Sequence, residues 1–317
     1  MNRWLIRCLA LVGFAAALTA CGGDDDDPPP PGNIVQVAQS SNLNALGAAV
    51  TKAGLATTLS DPAVSLTVFA PTDAAFGTLA TQLGFSSATA MVDALPAATL
   101  ASILRYHVLP TRKTAADLVA GGASQATLYS FGGSSTALAL QTTAGVAITD
   151  AALTTARVAT ADVAASNGVV HVVDKVLVPP GVLNVVQMAQ VNPLFSTLVS
   201  AVVTANLQAT LSGAGPFTVF APTNDAFAAI QSTVAGLSTA QLATVLTYHV
   251  LPSQVLAANI PFGTPVATVQ GQTITINAGT PPTITDKTAT PAPIVATDVR
   301  ASNGVIHVIS KVLIPTL

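Results

Sequence analysis

The chain is written twice. Asn33-Ile-Val-Gln-Val-Ala-Gln39 returns as Asn184-Val-Val-Gln-Met-Ala-Gln190. Leu66-Thr-Val-Phe-Ala-Pro-Thr-Asp-Ala-Ala-Phe76 returns as Phe217-Thr-Val-Phe-Ala-Pro-Thr-Asn-Asp-Ala-Phe227. Tyr106-His-Val-Leu-Pro110 returns as Tyr248-His-Val-Leu-Pro252, and the block from Ser166 to Leu177 returns from Ser302 to Leu313. Order-preserving self-similarity of this kind constrains the fold more than any local signal. The offset between equivalent residues falls from 151 to 142 to 136, so the second copy is shorter, chiefly through its middle. The copies are assigned to residues 33–179 and 183–317, each long enough for a core of its own. Pro179-Pro180-Gly181 between them is brief and stiff, so the two should abut in restricted geometry.

What precedes the first copy reads as export and tethering. Arg3 and Arg7 make a positive n-region, and Cys8 to Leu18 make an apolar h-region too short to span a bilayer. Leu18-Thr-Ala-Cys21 is similar to a bacterial lipobox, in which small residues admit the peptidase and one thiol accepts the lipid. Residues 1–20 are therefore expected to be a lipoprotein signal peptide, with Cys21 the lipidated first residue. Residues 21–32 carry Asp24 to Asp27 and then four prolines; like-charge repulsion and polyproline II make this stretch a tether. Several acyl chains on Cys21 would anchor stably where one is marginal. Resemblance to bacterial lipoproteins implies that Gly22, rather than Asp, after the Cys directs the protein to the outer membrane or cell surface.

Composition removes several functions. All 14 acidic residues are Asp, so no glutamate is available as general base or as a closing calcium ligand. Without the leader, 9 basic residues face 14 acidic ones, a balance that attracts neither phosphate backbones nor anionic lipid headgroups. Nucleic acid is not an expected partner. Cys8 and Cys21 are the only cysteines, so the repeated region folds without disulfides. No cofactor is implied.

Local patterns place both helices and strands in each copy. Phe69 and Phe220 sit in short β-rich runs; Thr72 and Thr223 then cap new helices, with Asp73 and Asp225 in their first turns. Ser238-Thr-Ala-Gln241 reads as a capping box, and Pro96 starts the corresponding first-copy helix with Leu100, Ile103 and Leu104 as its buried stripe. Asn167-Gly168 and Asn303-Gly304 are hairpin turn signals before nearly all-apolar strands, expected to be buried on both faces. Mixed helices and strands without regular βαβ alternation define an α+β class.

These blocks resemble the fasciclin (FAS1) family. Thr-Val-Phe-Ala-Pro-Thr-Asp/Asn-x-Ala-Phe, containing Thr72, Asp73, Thr223 and Asn224, is similar to its first signature. Asn-Gly-x-x-His, with Asn167, Gly168, His171 and their copies Asn303, Gly304 and His307, matches its second. All blocks occur twice and in order. The resemblance implies two tandem domains, each a twisted β-wedge or sandwich flanked by small helices. It also implies adhesion to surface or extracellular matrix polymers or proteins rather than turnover.

Every histidine (His107, His171, His249, His307) falls at a duplicated position. Asp162 and Asp298 each precede a histidine by nine residues, and Ser166 and Ser302 lie near, so a Ser-His-Asp set can be written. Three residues from one tight hairpin aim poorly at a shared substrate, and no oxyanion motif accompanies them; no catalytic residue is assigned. Two histidines per copy with scattered Asp lack zinc spacing, so no metal site is assigned. Tyr106-His107 and Tyr248-His249 are the candidate contact residues, because the resemblance links this segment to cell attachment in animal proteins. At a helix end the two side chains diverge by about 100°, so one is expected in and one out. An alternative reading is a carrier of an apolar ligand, a lipid or carotenoid; a remote third is a hydrolase.

Overall fold

Leu66–Pro71 is apolar at nearly every position because it lies mid-sheet with both faces covered, and Phe217–Pro222 repeats the arrangement. The computed structural model describes residues 31–142 and 145–317. The leader, Cys21 and nearly all of the tether lie outside the described residues. In the first copy β1 (Leu66–Pro71), β2 (Val108–Leu109), β3 (Ser124–Phe131), β4 (Ser134–Gln141), β5 (Ala147–Thr149), β6 (Thr155–Ala165) and β7 (Gly168–Val173) make one sheet, ordered β2-β1-β7-β6-β5-β4-β3. In the second, β8 (Phe217–Pro222), β9 (Val250–Leu251), β10 (Pro265–Ala267), β11 (Thr273–Asn277), β12 (Thr283–Thr285), β13 (Ala292–Ala301) and β14 (Gly304–Ile309) repeat that topology as β9-β8-β14-β13-β12-β11-β10. β1 runs parallel to β7 and β8 to β14; the other pairs are antiparallel.

The sheets are bent at one place. Pairing of β6 with β7 slips between Val158 and Thr160 and again before Val163; β13 slips at the equivalent Ile294, Ala296 and Val299. Bulges kink a strand and increase its twist. Asp162 and Asp298 sit in these bulges at φ of 60° and 59°, a left-handed conformation that Asp tolerates better than most residues. Each sheet thereby closes over itself into a wedge. Phe69, Tyr106, Leu138, Ile148 and Leu177 fill the first interior; Phe220, Tyr248, Ile274, Ile284 and Leu313 fill the second.

Helices cover the outer face of β1 and β7, and of β8 and β14. Their starts are those the caps predict. Thr72 accepts from Ala75 N at 3.1 Å, Thr223 from Ala226 N at 3.3 Å, and Ser238 and Gln241 form the expected reciprocal box. Pro96 precedes helix Ala97–Tyr106, and Leu100, Ile103 and Leu104 are its buried stripe. β7 and β14 are buried along almost their whole length, as their composition implies.

One expectation changes. Each wedge keeps a separate interior, but the two helical layers belong to one continuous apolar cluster, joined where helix Asp73–Gln82 packs on helix Val185–Val191. The short linker holds the second copy's first helix against the first copy, where its apolar face is covered. Residues 31–317 accordingly form one compact unit. No single helix among the described residues is long and apolar enough to cross a membrane.

Candidate functional site

The signature residues prove to be clamps, and the two copies use them alike. The Asn167 side chain accepts from Ile34 N at 2.9 Å and donates to Leu59 O and Asp61 O at 2.9 and 3.1 Å. Asn303 does the same with Val185 N, Leu211 O and Gly213 O. One amide thus ties the first helix and the chain before the central strand to the hairpin turn. A Cβ on Gly168 would stand 2.2 Å from Leu66 O, and one on Gly304 2.3 Å from Phe217 O, so the turn admits only glycine. Asp73 caps a neighbouring helix rather than only its own, accepting from Ala45 N at 2.8 Å and Asn44 Nδ2 at 3.0 Å. Asn224 plays that part in the second copy, accepting from Thr197 N and donating to Pro193 O.

All four histidines are held by backbone at both ring nitrogens. The Leu177 N–H donates to His107 Nε2 at 2.8 Å, which leaves the proton on Nδ1 to donate to Ile103 O at 2.7 Å. His249 repeats this between Leu313 N and Val245 O, both at 2.8 Å. Burial drives both imidazoles from 6.5 down to about 4, so they are neutral at any physiological pH. His171 has the opposite tautomer: the Asp162 N–H donates to Nδ1 at 3.2 Å, and Nε2 donates to Lys113 O at 3.0 Å. His307 has the same partners in Asp298 N and Val255 O, and burial lowers its affinity for a proton. Their rings stack on Phe69 and Phe220 at 5.7 Å and 28°.

The written Ser-His-Asp set comes apart on this geometry. The hairpin does bring each Asp beside its His, but through the backbone amide. The bulge turns the carboxylate away, and Asp162 and Asp298 accept instead from Ala115 N and Ala257 N at 2.8 and 2.9 Å. Ser166 and Ser302 lie exposed at the turns, outside hydrogen-bond reach of either imidazole. Among the described residues no group of three His, Cys, Asp or Glu is placed to hold a metal.

The Tyr-His pairs need a correction. Tyr106, His107, Tyr248 and His249 are 2, 1, 0 and 2% exposed, so neither member of either pair offers its side chain to a partner. The two side chains do diverge, but the helix end is wedged between the helical layer and the sheet, and both directions lead inward. Tyr106 enters the wedge and meets Tyr129 edge-on at 6.1 Å; the Tyr248 hydroxyl donates to Thr273 O at 3.0 Å. Burial and the nearby Asp286 push the Tyr248 hydroxyl up to about 12, and burial with Asp150 raises that of Tyr106 as well.

Beside each capping histidine lies a small apolar cavity, about 30 Å³ in the first copy and about 40 Å³ in the second. Their walls correspond position by position, as in Leu59 and Leu211 or Val170 and Ile306. A cavity this size takes a few waters or a methyl group, whereas ligand pockets run to about 300–1,000 Å³. A lipid or carotenoid does not fit in either unless the helices part.

The larger polar feature lies where the copies meet, and it was not foreseen. An open cleft of about 520 Å³ is lined by Phe131, Thr149 and Asp150 from the first copy and Thr297, Asp298 and Arg300 from the second. The Arg300 guanidinium carbon sits 5.5 Å from the centroid of the Phe131 ring. Phe131 also packs on Gly181, where a Cβ would come within 2.0 Å of the ring; Gly181, at φ 75°, donates its N–H to Arg300 O at 3.0 Å. Tyr129 Oη donates to Pro180 O, and Asn192 Nδ2 donates to Ala152 O across the junction at 2.8 Å. A signal for this site did exist in the differences between the copies: Arg300 stands where the first copy has Ala164, and Phe131 lies in the lengthened β3–β4 hairpin.

A duplicated wedge with Asn-Gly clamps and doubly held histidines defines a class of paired α+β domains. The family profile for the Fasciclin domain matches residues 41–179 and 193–315, and the chain belongs to that family. It is 44% identical to Protein sll1483 of Synechocystis over 43% of this chain and 75% of that one. It is 31% identical to the transforming growth factor-beta-induced protein ig-h3 of Sus scrofa, over 79% of this chain but 35% of the relative. It is 36% identical to the cell surface glycolipoprotein MPB83 of Mycobacterium bovis, over 39% of this chain and 57% of that protein. The solved FAS1 domain pair of the insect cell adhesion molecule Fasciclin I aligns at a TM-score of 0.42 and 18% identity, over 88% of this chain and 97% of that one.

Proposed function

We propose that this chain is an exported, envelope-held binding protein whose two fasciclin domains attach the cell to surface or extracellular polymers or proteins. The observation that carries the reading is the coupling of the two copies. Their helical layers share one apolar cluster, and the Pro179–Gly181 linker is hydrogen-bonded on both sides, so the two domains are held in a fixed relation. Paired weak contacts in fixed geometry gain avidity without new chemistry. The surface-protein relative supports the same reading, and every histidine is engaged structurally rather than presented to a substrate. Anchoring is assigned to Cys21 acylation, with residues 21–32 as the tether, at the outer membrane or cell surface. Excess free protein should compete away attachment of cells that display it; attachment indifferent to saturating free protein sinks the reading. For the anchor, radiolabelled palmitate should enter the wild type and not Cys21→Ala.

A further inference from the structure

We propose that the cleft between the two copies binds an acidic polysaccharide of low charge density, with Arg300 taking the carboxylate of a uronic acid residue. This rests on the adhesive reading above and names its polymer and its site.

Arg300 supplies the first argument. Its Nε is, among the described residues, the one buried side-chain nitrogen or oxygen without a hydrogen-bond partner. No carboxylate lies within ion-pair distance of its guanidinium, since the one ion pair among the described residues joins Lys311 to Asp286. The Nε is closed to solvent, so a ligand meets the guanidinium through its Nη groups, which make no hydrogen bond or ion pair within the described residues. The guanidinium carbon lies over the Phe131 ring, and the N–H donors of a planar guanidinium point in the plane of its fork. A carboxylate is the group that takes two parallel N–H donors of such a fork.

The rest of the cleft selects the class of molecule. Its volume of about 520 Å³ is open to solvent, which suits a chain passing through more than an enclosed ligand. Thr297 makes no internal hydrogen bond through its hydroxyl, and Thr149 only accepts from Gln141 at 3.4 Å, so both remain available to sugar hydroxyls. Ala137, Ala139 and Ala151 leave a shallow apolar floor for the face of a pyranose ring. Charge sets the density. The chain carries a net −3, and the cleft contains two carboxylates of its own, Asp150 and Asp298. Both are engaged internally, Asp150 by Ala152 N, Thr154 N and Val178 N and Asp298 by Ala257 N. They still repel a densely charged polyanion, while a single carboxylate among neutral sugars meets one cation at short range.

The pairing itself is specific to the junction. Phe131 sits on a hairpin of two eight-residue strands whose second-copy counterparts have three and five residues. Arg300 replaces an alanine of the repeat. Two independent departures from the duplication thus meet at one point.

Isothermal titration of the full-length protein with a methylglucuronate-bearing xylotriose should show binding, and plain xylotriose should show none. Arg300→Gln keeps most of the stem and removes the charge; it should weaken binding at least about tenfold. A cooperative thermal melt lowered by no more than about 2–4 °C verifies that this variant is folded, and amide shifts at Thr149 and Thr297 on titration of the wild type locate the ligand in the cleft without any variant. Absence of binding at the solubility limit overturns the proposal, as does binding indifferent to Arg300→Gln. A blocked acidic tripeptide that binds as tightly assigns the cleft to protein instead. Cell attachment at wild-type strength by Arg300→Gln removes the cleft as the adhesive site and leaves the adhesive reading standing.

Discussion

The two copies share a topology strand for strand, yet they fasten their last segment differently. In the first, Asp150 is buried and accepts four hydrogen bonds, from Ala152 N, Thr154 N, Thr154 Oγ1 and Val178 N, with no cation within ion-pair distance. Burial pushes its carboxyl up against the pull of those donors. In the second, Asp286 takes Lys311 Nζ at 2.7 Å, together with Thr288 and Ile314 N; although burial opposes it, these donors hold the carboxyl below its ordinary value. Lys175, the equivalent of Lys311, makes no such bond. The comparison separates what the fold demands from what each copy improvised. The Asn-Gly clamp, the doubly held histidines and the helix-capping Asp or Asn are identical in role. The closing carboxylate and the edge hairpin are not.

The identical parts should fail identically and by the most. Gly168→Ala and Gly304→Ala each force a Cβ onto a backbone carbonyl that cannot step aside, and each should cost about 4 kcal/mol. Urea unfolding of the two variants measures this; a clear difference between them breaks the claim of equivalence. Acid comes next. His107 and His249 fall from 6.5 to about 4 on folding. Between those values the unfolded chain binds the proton and the folded one does not. Stability is therefore complete above pH 6.5 and drains as pH falls towards 4, by about 3 kcal/mol per histidine. Imidazole proton shifts of both residues should stay flat from pH 8 to about 5; titration of either near 6.5 would show that its cap has opened.

Most of the fold was legible because its signals are local and repeated. The capping box at Ser238, the stripe of Leu100, Ile103 and Leu104, and the Asn-Gly turns all lie where short-range pattern places them. What escaped depends on geometry that no pattern encodes. Asp162 and His171 do become neighbours, but a bulge at φ 60° decides that the amide and not the carboxylate faces the ring. The Tyr-His divergence was sound as helix geometry and failed as a statement about exposure, since exposure is set by what packs on both sides of the helix end. The junction was least legible of all. Phe131 and Arg300 are single residues outside the repeated blocks, and a contact 169 positions apart leaves no periodic trace.

The closing carboxylates give a smaller and asymmetric effect. Lys311→Ala removes a partly buried donor to Asp286 and Thr288 and should cost about 1–2 kcal/mol, while Lys175→Ala should cost almost nothing. The Lys311 contribution should be present above pH 3.8 and lost as pH falls through the lower folded value of Asp286. Equal losses for the two lysines would erase the distinction between the copies.

The smallest effect tests the sharpest difference. Phe131 meets Arg300 only because the first copy lengthened a hairpin and the second acquired an arginine, so the contact has no counterpart within either copy. A half-exposed cation–π pair is worth about 0.5–1 kcal/mol. Phe131→Ala also removes packing on Gly181, so its total loss will exceed the pair term and cannot be read alone. The double-mutant cycle with Arg300→Ala isolates it: the two losses should fall short of additivity by about 0.5–1 kcal/mol. Strict additivity would mean that ring and guanidinium lie together without interacting. The same cycle in high salt discriminates further, because a guanidinium held over a ring with its Nε closed to solvent is screened less than an exposed ion pair. A coupling that survives salt marks the junction as a packed contact between the copies and not a surface attraction.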